Sequence, residues 1–180
     1  MNTFPQPRSG HLLVLVAPRA GGDLMLDLSA RLAQDGMLRV LDGGNRFNAY
    51  RVSRALVRLN HGQAGLAPAL ARIQVARAFT CYQMAAMLEQ APSGAIPTLV
   101  IDFLDTFYDQ GVPLPERRRL LHGCLGHLRR LRRTAAVVAS LRPPPPPHDD
   151  PTGLLDMVRQ AADSIWSPEI PLDHPPLRLF

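Results

Sequence analysis

The sequence predicts a three-layer α/β fold, with a mostly parallel central sheet flanked by helices, in a single domain of 180 residues. Three observations point to it. Five strand-like segments alternate with helix-like ones, the order that gives parallel strands. The first strand segment, Leu12–Val16, is a continuous apolar run, as expected where helices cover both faces of the sheet. The segments between strands carry helical periodicity, shown by Leu24, Leu28 and Leu32 with Met25 beside them.

Taken in order, Met1–Gly10 is a short N-terminal arm with two prolines, and residues 11–141 form the core. After the first strand, Ala17–Gly22 reads as a turn and Gly36 stands where a C′ glycine would end the first helix. Met37–Leu41 is the second strand. Phe47, Val52, Ala55, Leu56 and Leu59 make a second amphipathic helix, Gln63–Ala71 is a loop or short helix, and Ile73–Phe79 is the third strand. Thr80 and Gln83 have capping-box spacing, which starts a helix running to about Glu89. Thr98–Leu104 is the fourth strand. Pro113 and Pro115 open a long helix to about Arg133 with the stripe Leu120, Cys124, Leu128 and Leu131, and Ala135–Leu141 is the fifth strand. Residues 142–151, with five successive prolines, form an extended spacer or loop. Thr152–Ala162 is a further helix, and Ser164–Trp166 and Leu177–Phe180 are candidate edge strands.

Composition narrows the function classes. The formal net charge is +5 and every one of the 20 basic residues is arginine. All-arginine usage suits bidentate phosphate contact, and it also follows from codon bias in a GC-rich genome, the reading preferred here. Two cysteines make neither a disulfide framework nor a metal set. No apolar run has the length of a membrane span, so the expectation is a cytoplasmic protein with no membrane partner.

The segment from His11 to Leu32 has the shape of a phosphate-binding loop without its chemistry. In the pattern G-x-x-x-x-G-K-[ST], backbone N–H groups cradle phosphates, the lysine neutralises their charge and the hydroxyl holds Mg²⁺. Aligned on Gly22, the chain has Ala17 for the first glycine, Asp23 for the lysine and Leu24 for the hydroxyl. A helix N-terminus attracts an anion by about 0.3–1 kcal/mol, and Asp23 supplies one from the chain itself.

Ile73-Gln74-Val75-Ala76-Arg77-Ala78-Phe79-Thr80-Cys81-Tyr82-Gln83 resembles the "ARA" strand and following helix start of RecA/RadA-like recombinases, and Leu99–Asp102 resembles their Walker B strand. The order of parts from Leu12 to Leu141 is similar as well. The resemblance implies a RecA-like P-loop NTPase fold and a vestigial nucleotide site at Arg19, Gly21, Gly22, Asp23 and Asp102. It also implies a catalytic glutamate two residues after the aspartate that ends the second strand. Counted from Asp42 that place holds Gly44. Of the family's ATPase residues only Asp102, which would bind Mg²⁺ through water, stands in position.

Other features admit a chemical and a structural reading. Arg117, Arg118, Arg119, Arg129, Arg130, Arg132 and Arg133 lie within 17 residues on the long helix, and they either track a nucleic-acid backbone or form a solvated face that favours the helix dipole. His122, Cys124 and His127 are too far apart around a helix to share a metal. Cys81, near a helix N-terminus where a thiol pKa falls, reads as packing. Asp102, Asp105 and Asp109 form an acidic edge that either holds a cation or, the preferred reading, is capped or ion-paired.

The function expected is that of a pseudo-ATPase: a non-catalytic RecA-like protein, accessory to DNA recombination or repair, with no cofactor. Its partner would be a protein, such as an active recombinase-like ATPase or a second copy, with DNA contact through the arginine-rich helix. The alternatives are an atypical ATPase, in which Arg19 replaces the lysine charge and Asp102 holds Mg²⁺ beside ATP, and a stand-alone nucleic-acid-binding module.

Overall fold

Along the buried strands alternate side chains enter two different hydrophobic cores, and this sets the layers of the computed structural model, which describes residues 5–17, 20–60, 62, 65–142 and 152–167. Leu12, Val14 and Val16 of strand β1 (Leu12–Val16) face one hydrophobic core, and Leu13 and Leu15 face another. Successive strand side chains point to opposite faces, so the apolar run predicted from Leu12 to Val16 serves two layers at once.

Helix α1 (Ala20–Asp35) covers one face with Met25 and Leu28, while Leu26 and Ala30 turn sideways to meet helices α2 (Ala49–Leu59) and α3 (Leu66–Ala71). Helices α4 (Cys81–Gln90), α5 (Leu114–Arg132) and α6 (Leu154–Ala161) cover the other face. Between them lies a six-stranded sheet of β1, β2 (Leu38–Asp42), β3 (Ile73–Arg77), β4 (Thr98–Ile101), β5 (Val137–Leu141) and β6 (Ser164–Trp166), in the order β3-β2-β4-β5-β1-β6. Every strand pair is parallel, from Leu12↔Val137 and Leu38↔Ile73 to Leu13↔Ser164. The expected three-layer α/β architecture is therefore present, with an all-parallel sheet.

The differences from expectation have local causes. The predicted turn at Ala17–Gly22 is shorter, because Ala20, Gly21 and Gly22 already form the first turn of α1. Gly36 follows the end of that helix without a left-handed φ. The fourth strand stops at Ile101, where Asp102 takes φ of 49° and a 3-10 turn follows at Asp105–Phe107. The third stops at Arg77, and the fifth begins two residues late at Val137. The capping pair forms in altered register: Thr80 accepts from the Gln83 N–H at 3.2 Å, and Gln83 Oε1 accepts from Phe79 N–H, one residue earlier than a capping box requires. On α5 the buried stripe is Leu121, Cys124, Leu125, Leu128 and Leu131, with Leu120 only partly covered. Strand β6 is an edge strand as expected; the arm residues 1–4, the proline run and Leu177–Phe180 lie outside the described residues. Among the described residues no helix is long and apolar enough to cross a membrane.

Candidate functional site at the carboxyl edge of the sheet

In a parallel sheet all carboxyl ends lie at one edge, and ligands of α/β folds bind there. This edge collects Ala17 after β1, Asp42 ending β2, Asp102 after β4 and Arg142 after β5. Arg19, the cation of the atypical-ATPase alternative, lies outside the described residues.

Asp42 is fully buried. Its two carboxylate oxygens accept from the N–H groups of Arg46 and Phe47, each at 2.9 Å, and Arg77 Nε stands 3.4 Å away. The carboxylate thus closes the β2–α2 loop on itself, helped by Asn45 in a left-handed conformation at φ of 52°. The expected nucleotide site assigned Asp42 no part; the signal in the sequence is the run Asp42-Gly-Gly-Asn-Arg-Phe47, an aspartate followed by turn formers.

Asp102 is 4% exposed and sits beside that loop. Its N–H donates to Ser140 Oγ at 2.9 Å, and its Oδ2 lies 3.4 Å from Arg142 Nε and 3.8 Å from Arg46 Nε. Arg142 also pairs with Asp105. Asp109 is apart from them, accepting from Gly111 N–H in its own exposed turn at 2.8 Å. Asp102 and Asp105 are therefore ion-paired, with the guanidinium groups of Arg142 and Arg46 beside the Asp102 carboxylate. Gly44 makes the packing possible: a Cβ there would stand 2.6 Å from Asp102 Oδ2.

Burial pushes the Asp102 carboxyl above its ordinary range, despite the opposing pull of Arg142 and Arg46. A carboxyl raised in the folded state contributes stability that is present below its unfolded pKa and lost as pH rises through the folded value. Asn also tolerates the left-handed backbone. Asp102→Asn is therefore expected to be at least as stable as the parent at neutral pH, with its advantage shrinking on acidification. Urea midpoints of both proteins at neutral pH and at about pH 4 measure it; a variant that loses ground as pH rises would contradict the assignment.

At the start of α1, Asp23 occupies the first helical turn and pairs with Arg51 of α2. Leu24, in the hydroxyl position, packs part-buried against the core with Leu32. Gly22 has open space around its would-be Cβ.

The arginines of α5 are placed otherwise than a phosphate-tracking face requires. Arg117 is buried and donates to Phe107 O at 3.0 Å, and Arg118 donates to Thr152 O. Arg119 pairs with Glu116, and Arg132 with Asp163. Arg130 donates to the carbonyls of Leu88, Glu89 and Ala91, capping the C-terminus of α4. Such contacts hold carbonyls that a helix end leaves without partners. Arg129 and Arg133 alone of the set are exposed with no partner among the described residues.

Cys81 and Cys124 are both fully buried, and burial raises both thiols, Cys124 to about 12. The lowering that a helix N-terminus would give Cys81 is outweighed by desolvation. His122 is exposed while Cys124 points into the core, and no group of three or more metal-ligating side chains occurs among the described residues.

No protein-family model matches the chain, and no curated protein matches it.

Proposed function

We propose that this chain is a RecA-like protein that has lost its ATPase chemistry and works through its surfaces, as a non-catalytic accessory or scaffold in DNA recombination or repair. The observation that carries the reading is the first turn of α1. Where the phosphate-binding pattern places a cation, Asp23 presents a carboxylate already paired with Arg51, and Leu24 is packed against the core where a Mg²⁺ ligand is needed. A triphosphate there would meet like charge and no metal-binding oxygen. The ion-paired state of Asp102 supports the same conclusion.

Support for the protein-contact half comes from β3. Among the described residues it ends the sheet, so its outer backbone groups have no strand partner there, and Val75, Phe79 and Tyr82 along and just beyond it are exposed. An edge strand of this kind is a template for strand addition by a partner, here a recombinase-like ATPase.

Isothermal titration with ATP and Mg²⁺ tests the loss of chemistry: no micromolar binding is expected. Micromolar binding that vanishes in Asp102→Asn would instead establish the atypical nucleotide-binding protein. The accessory role predicts a measurable complex with a recombinase-like ATPase of the same cell by sedimentation velocity, and its absence would remove that role.

A further inference from the structure

We infer that the groove between β3 and the end of α4 is a binding site for a small monocarboxylate with an apolar body. The groove exists because the helices cover β2 and stop short of the sheet edge: all five residues of β2 are buried, whereas the four from Gln74 to Arg77 of β3 are exposed. Its volume is about 260 Å³, just under the range of drug-sized sites, about 300–1,000 Å³. Arg39 lies at its base and interrupts an otherwise apolar run, Leu38-Arg39-Val40-Leu41. Side chains of β2 alternate between the two cores, and Arg39 shares the α4–α5 face with Leu41. The pairings Arg39↔Gln74 and Leu41↔Ala76 put Gln74 and Ala76 beside them, and Met87 and Gln90 close the groove from the last turn of α4.

The charge at the base is uncompensated. Arg39 is 9% exposed, and its hydrogen-bond partners are neutral: Thr98 Oγ1 at 3.2 Å and the carbonyl of Pro92 at 3.3 Å. Among the described residues no carboxylate pairs with it. The charge that acts on it is a like one, so burial first and the Arg130 guanidinium second hold the Arg39 pKa below its ordinary value. Arg130 is itself held by the carbonyls of Leu88, Glu89 and Ala91. Arg46, Arg77 and Arg142 at the carboxyl edge, in contrast, already face Asp42 and Asp102. A buried cation without a counter-charge is costly, and an anion entering the groove relieves that cost.

The lining selects the ligand. A guanidinium matches a carboxylate, and the side-chain amides of Gln74 and Gln90 offer further donors to its oxygens. Leu41, Ala76 and Met87 supply an apolar wall. Ligand sites of this composition, apolar with a few convergent polar groups, fix orientation by the polar end and gain affinity from the apolar one. A phosphate would use the charge and leave the wall wet. A glutamate side chain from a partner would bring only a short stem to it. A free acid with a short aliphatic body satisfies both. The inference needs neither the degenerate loop nor a partner at the β3 edge, so its failure leaves the reading of the nucleotide site untouched.

The test is titration of the full chain with 4-methylpentanoate, followed by backbone amide chemical shifts. Shifts are expected at Gln74, Ala76 and Gln90, with a Kd of about 1 mM or tighter. 4-Methylpentanamide, which has the body without the charge, and inorganic phosphate, which has charge without the body, should each bind about tenfold more weakly or worse. Gln74→Glu places a carboxylate beside Arg39 from an exposed position. It should weaken binding of the acid about tenfold and raise Tm by about 2 °C, because the chain then supplies its own anion. Arg39→Met fills the same space without charge and should lose the preference for the acid over the amide. No shifts at the groove with the acid overturn the inference. So do equal affinities for acid and amide or for acid and phosphate, and so does a Gln74→Glu protein that binds the acid as the parent does. Tighter binding of N-acetylglutamate methylamide than of the free acid would overturn it in favour of a side chain from a protein partner.

Discussion

Gly44→Glu, which returns the glutamate that the recombinase resemblance places after the second strand, is expected to destabilise the protein and to restore no ATP hydrolysis. A Cβ at Gly44 would lie 2.6 Å from Asp102 Oδ2, 2.7 Å from its Cβ and 3.0 Å from its Cγ. Asp102 cannot retreat: it is buried, its N–H is bonded to Ser140 and its oxygen faces Arg142 and Arg46. Gly43 beside it is equally confined, since a Cβ there would meet Asp102 O and Met84 Cε at 2.9 Å each. Overpacking of this kind costs about 1–3 kcal/mol. Glutamate adds a third carboxylate beside the buried Asp42 and Asp102, so about 3 kcal/mol or more is expected. For a chain of this size that lowers Tm by roughly 6–12 °C. Gly44→Ala should give part of the loss. Gly123→Ala is the control: its Cβ meets nothing within 4 Å and the site is helical, so it should stabilise by up to about 1 kcal/mol. Calorimetry of the three variants decides it, and a Gly44→Glu protein melting within about 1 °C of the parent would refute the packing account.

The fold was legible because its signals are local. Strand and helix periodicity, the Thr80 cap and the proline-opened α5 can each be read from a few adjacent residues, and all of them are present, with ends displaced by one to three residues. What could not be read was which charges would meet. The seven arginines around α5 lie within 17 residues of sequence, yet helix geometry sends Arg117 inward to Phe107 O and Arg130 across to the end of α4. Conversely Arg46, Arg77 and Arg142, from three separate segments, converge on Asp42 and Asp102 because the parallel topology brings the ends of β2, β3, β4 and β5 to one edge. The replacement of the lysine by Asp23 was visible in the sequence; its pairing with Arg51 depends on α1 and α2 packing side by side, a tertiary fact.

The same convergence makes Asp42→Ala the other severe substitution, with an expected loss of about 3–5 kcal/mol, since the buried carboxylate accepts two backbone N–H groups at about 1.5–3 kcal/mol each. Asp42 is fully buried and takes two backbone N–H groups at 2.9 Å, those of Arg46 and Phe47, in addition to Arg77. Truncation leaves both donors without their acceptor and a guanidinium without its counter-charge. Hydrogen bonds to a charged group contribute about 1.5–3 kcal/mol each, and water re-entry at the half-buried loop returns part of that. Asp42→Asn keeps the shape and one accepting oxygen but turns an NH₂ donor toward another donor, so it should fall between the two. The consequence is local before it is global. The loop from Gly43 to Phe47 ends at Asn48, the residue that caps α2 by accepting from Arg51 N–H, and Arg46 in that loop faces Asp102. In the parent, the Arg46 and Phe47 amides should exchange slowly with solvent despite their position in a loop. In Asp42→Ala they should exchange rapidly at temperatures where the β2 and β4 amides remain protected, and the Tm should fall by roughly 10 °C. Fast exchange at Arg46 and Phe47 in the parent itself would show that the carboxylate does not hold the loop, and the account of this edge of the sheet would fail with it.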